Sequence, residues 1–232
     1  MEPKDRIIVA LDVPDLEAAR PLIALLAPHV GMFKVGLELI TAVGAPAAVA
    51  AVREAGGRVM FDGKFNDIPN TVAGAAKAAA ALGVETFTMH ATSGREAIRA
   101  AVAAAGGEKV IGVTVLTSID EEECWETFGG GTLDVVEDLG LRLVNAGAKN
   151  VVCSPREVER LRQMPLTRIT PGVRPAWAEA GDQKRFTTPA MAVRSGADML
   201  VIGRPITKPP SAIGSPAAAA RLIADEIAEA LG

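Results

Sequence analysis

The sequence contains no tyrosine, and phenylalanine and tryptophan bring the aromatic share to only 3% of 232 residues. With no phenol present, no tyrosine serves as a general acid or base. Trp125 and Trp177 stand without aromatic companions, so the pattern offers no base-stacking platform. Cysteine is scarce too: Cys124 and Cys153 are far apart in the sequence and have no partners at metal-ligand spacing. That excludes a disulfide framework and points to a reducing compartment. No basic cluster occurs and the net charge is −4, which argues against a nucleic-acid partner. No apolar segment reaches membrane-spanning length. The opening residues, Met1-Glu2-Pro3-Lys4-Asp5-Arg6, are too charged for a signal peptide, and the first apolar run is only a strand long. The class expected is a soluble, cytoplasmic globular protein.

What the chain does contain is apolar residue in short runs, 49% of the whole, enough for a sizeable core. The runs at 7–11, 32–35, 59–61, 86–89, 110–116, 150–153, 168–170 and 199–202 are continuous, as strands buried on both faces are. Helical spacing falls between them. Asp15 is placed to cap a helix through residue 26, and Gly56-Gly57 to stop one over 45–55. Further helices are expected over 71–82, 95–105, 133–145, 190–195 and 216–231, with another beginning at Pro155. Strand and helix alternate through eight units, which predicts an α/β fold, a (β/α)8 TIM barrel forming a single domain over 1–232. The alternative is an open doubly wound sheet. No linker or change of composition marks a second domain.

The polar residues gather where strands end. Asp12 closes the first run, Lys34 lies in the second, Asp62 and Lys64 follow the third, His90 closes the fourth and Thr117 the fifth. In a barrel these ends converge on the face where active sites are built. Asp62 and Lys64 are two apart and so point the same way on an extended backbone, with Asp67 in the turn beyond. Two carboxylates about one ammonium are costly unless something uses them, and beside a cavity they would hold Lys64 as a proton donor. Pro69 suits the first turn of the helix that follows. Taken singly, each residue has a plain structural reading. Asp12 is a possible helix cap, Lys34 a snorkelling side chain, His90 a hydrogen-bonded structural histidine, and Thr117-Ser118 a turn. The joint pattern is harder to set aside. A second signal is Gly203-Arg204 after the last strand, placed like a barrel phosphate site. Before it, Pro171-Gly172-Val173-Arg174 leads into a polar, glycine-containing loop through Arg185, as an active-site lid would. The acidic run from Asp120 to Glu123 reads as a solvated helix start, and Gly129-Gly130-Gly131 as a turn rather than a P-loop.

These residues, in order, resemble the orotidine 5′-phosphate decarboxylase family of the bacterial type. The resemblance spans nearly the whole chain. It is carried by Ala10-Leu11-Asp12, Phe33-Lys34-Val35-Gly36, Asp62-Gly63-Lys64-Phe65-Asn66-Asp67-Ile68-Pro69-Asn70-Thr71 and Val115-Leu116-Thr117-Ser118. Further carriers are Thr170-Pro171-Gly172-Val173-Arg174-Pro175, Gly181-Asp182-Gln183 and Gly203-Arg204-Pro205-Ile206-Thr207. Asn66 and Gly63 depart from the family, which often has histidine and an aliphatic residue there; neither is a charged catalytic position. The resemblance implies decarboxylation of orotidine 5′-monophosphate to uridine 5′-monophosphate without cofactor or metal. It implies catalytic Lys64, Asp62, Asp67 and Lys34. Substrate contacts are implied for Asp12, Lys34, Asp62, Ile68, Thr71, Thr117, Pro171, Arg174, Gln183, Gly203 and Arg204. It also implies a homodimer in which Asp67 and Thr71 reach the neighbouring subunit's site.

Two other readings stand beside this one. The chain could be a magnesium-dependent relative, a 3-keto-gulonate-6-phosphate decarboxylase or hexulose-phosphate synthase, which resemble it in the D-x-K-x-x-D stretch. Those carry a glutamate ligand near the end of the second strand, where this chain has Lys34. Or it could be an inactive barrel that binds nucleotides, against which the intact Asp62, Lys64 and Asp67 weigh.

Overall fold

In the computed structural model, which describes residues 1–178 and 187–232, the eight apolar runs are parallel strands that close into a barrel in sequence order, β8 returning to β1. The first half runs β1 (Ile7–Ala10), α1 (Leu16–Leu26), β2 (Met32–Val35), α2 (Leu37–Val43), α3 (Ala45–Glu54), β3 (Val59–Phe65), α4 (Pro69–Ala81), β4 (Thr86–His90) and α5 (Arg95–Ala105). The second runs β5 (Val110–Val113), α6 (Glu121–Phe128), α7 (Thr132–Ala146), β6 (Asn150–Val152), β7 (Thr167–Thr170), α8 (Pro189–Arg194), β8 (Met199–Ile202), α9 (Arg204–Thr207) and α10 (Pro216–Leu231). Among the described residues no helix is long and apolar enough to cross a membrane.

Strand alternation divides the apolar residues between two cores. Inside the barrel, Ile8, Met32, Met60, Ile111, Ile169 and Met199 form a buried cluster of their own. The larger cluster, including Phe33, Leu39, Phe87, Leu143 and Ile223, lies between strands and helices. A strand turns every second side chain the same way. Ala10, Lys34 and Asp62, each two beyond an inner-core residue, therefore continue the barrel interior towards its carboxyl rim. Local chemistry sets the helix starts: Asp15 accepts from Ala18 N at 2.8 Å, Asp120 from Glu123 N at 3.0 Å, and Pro69 opens α4.

Three expectations are corrected. The third strand runs on through Asp62, Gly63, Lys64 and Phe65, so the charges lie within β3 rather than after it. The fifth stops at Val113, which leaves Thr117 in an exposed turn four residues on. No α-helix begins at Pro155: residues 155–163 are hydrogen-bonded turns. Their bonds are mostly of the tight i to i−3 kind, such as Arg162 N to Glu159 O at 3.1 Å, and Glu157 folds back to accept from Ser154 N at 2.7 Å.

Gly112 explains how closely α7 seats on the sheet. A Cβ there would overlap the fully buried Leu143 side chain. Gly112→Ala is expected to destabilise the fold by about 1–3 kcal/mol through overpacking. The measurement is urea denaturation, and an unchanged midpoint would show that the helix can retreat at no cost.

Candidate active site

The charged residues at the rim form an alternating chain. Lys34 Nζ lies 2.9 Å from Asp12 Oδ1 and 3.5 Å from Asp62 Oδ2, and Lys64 Nζ lies 2.8 Å from that same Oδ2. Asp62 Oδ1 accepts from the Thr88 hydroxyl at 2.9 Å. Asp62 is 6% exposed, whereas Asp12 faces solvent. Exposed pairs of this kind contribute almost nothing, but a carboxylate out of water needs its partners. Burial alone would raise the Asp62 pKa; Lys34 and Lys64, with hydrogen bonds from Lys64 and Thr88, more than offset that and hold it below the usual aspartate value. Asp62 is thus an anion at neutral pH.

Within one chain, two ammoniums flank the Asp62 carboxylate, and Asp67 does not stand beside its own chain's Lys64. Asp67 turns to the start of α4, where its Oδ1 accepts from Ile68 N at 2.7 Å. Asp67, Ile68 (67% exposed) and Thr71 all lie on the surface. Asp62 and Lys64 do point the same way, but not through an extended backbone. Lys64 has φ +47°, the one non-glycine residue in the left-handed region among those described. Phe61 pairs with Phe87 and Phe65 with Met89, so Asp62, Gly63 and Lys64 together face Thr88 alone across a bulge. Phe65 anchors the far side, its ring centroid 6.0 Å from Phe61 and 5.5 Å from Phe87. A Cβ at Gly63 would come within 2.6 Å of the buried Phe61 ring, so this aromatic packing requires the glycine.

His90 closes β4, half-buried. Burial and the Lys64 charge lower its pKa, against a smaller opposite effect of Asp62, so the imidazole is neutral at neutral pH.

Beside the chain of charges lies a cleft of about 430 Å³, lined among others by Asp12, Lys34, Pro171, Arg174, Gly203 and Arg204. Arg174 is buried at 6%, and its N donates to Thr187 O at 2.9 Å, where Val173 and Thr187 bridge. Gln183 and the proposed lid around it lie outside the described residues. Glu38, Thr207 and Lys208 also line the cleft and were not foreseen. A groove of about 470 Å³ between α6 and α7, around Trp125, Phe128 and Leu141, shares no residue with the charged cluster. Thr88 was missed as well, although Thr86, Thr88 and His90 alternate as polar residues along an otherwise apolar strand. Gly36 leaves room for the Lys34 ammonium where it stands: a Cβ there would lie 2.7 Å from Lys34 Nζ and 3.3 Å from Asp12 Oδ1, so the ammonium would have to shift.

Charged side chains converging on the carboxyl rim of a closed parallel barrel, with an arginine-bearing cleft beside them, are the layout of a (β/α)8-barrel enzyme. The chain belongs to the orotidine 5′-phosphate decarboxylase / HUMPS family, whose model matches residues 5–223. It is 50% identical to the orotidine 5′-phosphate decarboxylase of Moorella thermoacetica over 98% of this chain and 94% of that one. It is 48% identical to that of Thermobifida fusca, over 95% of each. The crystal structure of orotidine 5′-phosphate decarboxylase from Lactobacillus acidophilus superposes with a TM-score of 0.78 at 32% identity, covering 95% of this chain and 98% of that one.

The depressed Asp62 pKa has a consequence for stability. The contribution is present above the ordinary aspartate pKa and is lost as pH falls through the lower folded value. At neutral pH, Asp62→Asn should cost about 3 kcal/mol, the low end for a broken buried pair because Lys64 keeps some exposure. The gap between wild type and variant, measured by denaturant unfolding, should hold above pH ~5 and narrow progressively as pH falls below ~4 towards the folded value. A gap independent of pH would mean that Asp62 is not held as an anion.

Proposed function

We propose that the chain decarboxylates orotidine 5′-monophosphate to uridine 5′-monophosphate and carbon dioxide, the last step of de novo pyrimidine synthesis, in the cytoplasm and without a cofactor. The observation that carries this reading is the chain of alternating charges Asp12–Lys34–Asp62–Lys64, with its ionised aspartate buried between two ammoniums beside a cationic cleft. Family membership and relatives of that name at about half identity support it.

The chemistry explains the charges. When the C6–carboxylate bond breaks, its electron pair stays on C6 in the plane of the ring, where the π system cannot delocalise it. Positive charge must already stand where that pair develops. Lys64 supplies it, then gives a proton to C6 as carbon dioxide departs, and the amine regains a proton from water. Asp62 faces the departing carboxylate, and the loss of that charge as carbon dioxide relieves their repulsion. Lys34 keeps Asp62 and Lys64 in register. Asp12 takes ribose hydroxyls and Thr117 the pyrimidine edge, while Arg174, Gln183, Gly203 and Arg204 hold the phosphate. Phosphate binding energy, remote from C6, then orders the reacting groups. The magnesium-dependent alternative is disfavoured by the donor set: between Asp12 and Asp62 stands the Lys34 ammonium, a cation of the chain's own.

The exposed run 66–71 at the mouth of the site supports a homodimer in which Asp67 and Thr71 serve the partner's site. A two-fold contact is mutual, so each subunit would lend its Asp67 to the other's Lys64.

Formation of uridine 5′-monophosphate from orotidine 5′-monophosphate tests the activity directly. Lys64→Ala should keep the fold, shown by an unchanged circular dichroism spectrum, and lose turnover by several orders of magnitude, mainly in kcat. Near-normal turnover in the folded variant would end the mechanism.

The shared site has its own test. Lys64→Ala and Asp67→Ala, each inactive alone, are mixed under conditions that exchange subunits. In a mixed dimer one site receives both substitutions, while the other pairs an intact Lys64 with an intact Asp67. With random exchange of equal amounts, roughly a quarter of all sites should recover. Exchange confirmed by mass, with no recovery, would place Asp67 in its own chain's site.

A further inference from the structure

The stretch Asp62-Gly63-Lys64 faces one residue of the neighbouring strand, Thr88, which is fully buried. Its hydroxyl oxygen accepts from Lys64 N at 2.9 Å and donates to Asp62 Oδ1 at 2.9 Å. We propose that Thr88 is a positioning residue of the decarboxylation, setting both Asp62 and Lys64 in their reacting places through this single hydroxyl; the proposal rests on the activity proposed above.

The direction of the two bonds is forced. A backbone N–H only donates, so the Lys64 amide occupies an oxygen lone pair, and the one hydroxyl proton is left for the carboxylate. Asp62 then has Oδ1 bound by Thr88 and Oδ2 by the two ammoniums, which fixes rotation of the carboxylate about its own axis. Lys64 has the other need. In the bulge its amide has left the regular pairing between β3 and β4, and its φ of +47° is one that side-chain-bearing residues rarely adopt. The Thr88 oxygen gives that amide an acceptor and so holds the turn of backbone that aims the Lys64 side chain at Asp62. Threonine suits this role because its branched Cβ limits χ1, so the hydroxyl is presented in few rotamers. A valine would fill the same space in a wholly buried position without a polar group to satisfy. These two bonds are the physical reason for the hydroxyl.

The groups facing Asp62 are Lys34 from β2, Lys64 from β3 and His90 from β4, with Asp12 beyond Lys34. None of them supplies Oδ1 with the bond that Thr88 gives. Removing it should free the carboxylate to rotate and raise the pH at which it takes a proton.

The test compares Thr88→Val, which keeps the shape and loses the hydroxyl, with Thr88→Ser, which keeps the hydroxyl. Thr88→Val should lower kcat by about 10–100-fold, the scale of a lost charged hydrogen bond or a small misplacement. KM for orotidine 5′-monophosphate should change less than about threefold, since the phosphate contacts remain. The acid limb of the kcat profile should move to higher pH, and Thr88→Ser should restore both kcat and the limb. An unchanged kcat and acid limb in Thr88→Val would overturn the proposal, as would a Thr88→Ser variant as impaired as the valine. Should Thr88→Val fail to fold, Thr88→Cys, of similar size with only a weak donor and acceptor, makes the same comparison. A wild-type protein that forms no uridine 5′-monophosphate would sink the activity reading instead. Carbon-13 NMR titration of the Asp62 carboxyl, which needs no substrate, would still judge Thr88. A higher pKa in Thr88→Val than in wild type supports the proposal, and an equal one overturns it.

Discussion

A carboxylate taken out of water must be neutralised where it stands, and among the described residues Asp62 is the carboxylate where that constraint is most severe. Its Oδ2 receives two ammoniums and its Oδ1 a hydroxyl, so each of its oxygens is met. Much else follows from that arrangement. Lys34 must come inward from a strand whose neighbouring inner positions are apolar. Lys64 must reach back to a residue only two before it on the same strand, which a regular strand would allow only with the side chains side by side. The bulge in β3 brings the ammonium to 2.8 Å instead. The backbone energy stored in Lys64, of order 1–3 kcal/mol for a non-glycine residue in this region, is sustained by contacts on both sides of it. Those contacts are Thr88 on one strand and the Phe61, Phe65 and Phe87 rings around Gly63.

The closed barrel turns these local features into a site. Parallel pairing through all eight strands turns Ala10, Lys34 and Asp62 into the interior towards the carboxyl rim, each two residues beyond a member of the cluster of Ile8, Met32 and Met60. The apolar layer below excludes water, which strengthens every charge interaction at the rim. The cleft that carries Arg174 and Arg204 opens on the same face because strands seven and eight end there. A ligand with an anionic tail and a reacting head is thereby spanned by one rigid scaffold, and binding at the tail can be used at the head.

What could be read from the sequence and what could not divide along physical lines. The strands were legible because parallel strands buried on both faces leave continuous apolar runs, and β8 falls on the residues expected, Met199–Ile202. Helices with clean ends were legible too, such as α5 between Gly94 and Gly106. The residues of the charged chain stood out because they gather at the ends of apolar runs, with Lys34 inside one, where a lysine has no apolar reason to be. Their partners did not. Asp67 accepts from the amide of Ile68 at the start of its own helix, an orientation that no spacing rule encodes. The bulge that sets three residues against Thr88 is a property of two strands at once, and a threonine in a strand is otherwise ordinary. The missing helix after Pro155 is of the same kind. Its capping pair, Ser154 and Glu157, is the usual signal of a helix start, yet the turns that follow close with bonds too short in register for an α-helix.

Gly36 shows how far the site's chemistry reaches into the choice of apparently neutral residues. Its φ of −104° makes no demand for glycine. The demand comes from space: a Cβ would stand 2.7 Å from Lys34 Nζ. Two aspartates held on either side of one position would otherwise make an inviting seat for a divalent cation, since hard cations favour carboxylate oxygens. A tethered ammonium fills that seat here, and a side chain at position 36 would push its Nζ away from the place it holds between the two carboxylates. Lys34 thus supplies the cation at the centre of this site, and Gly36 leaves its ammonium the position it takes between Asp12 and Asp62.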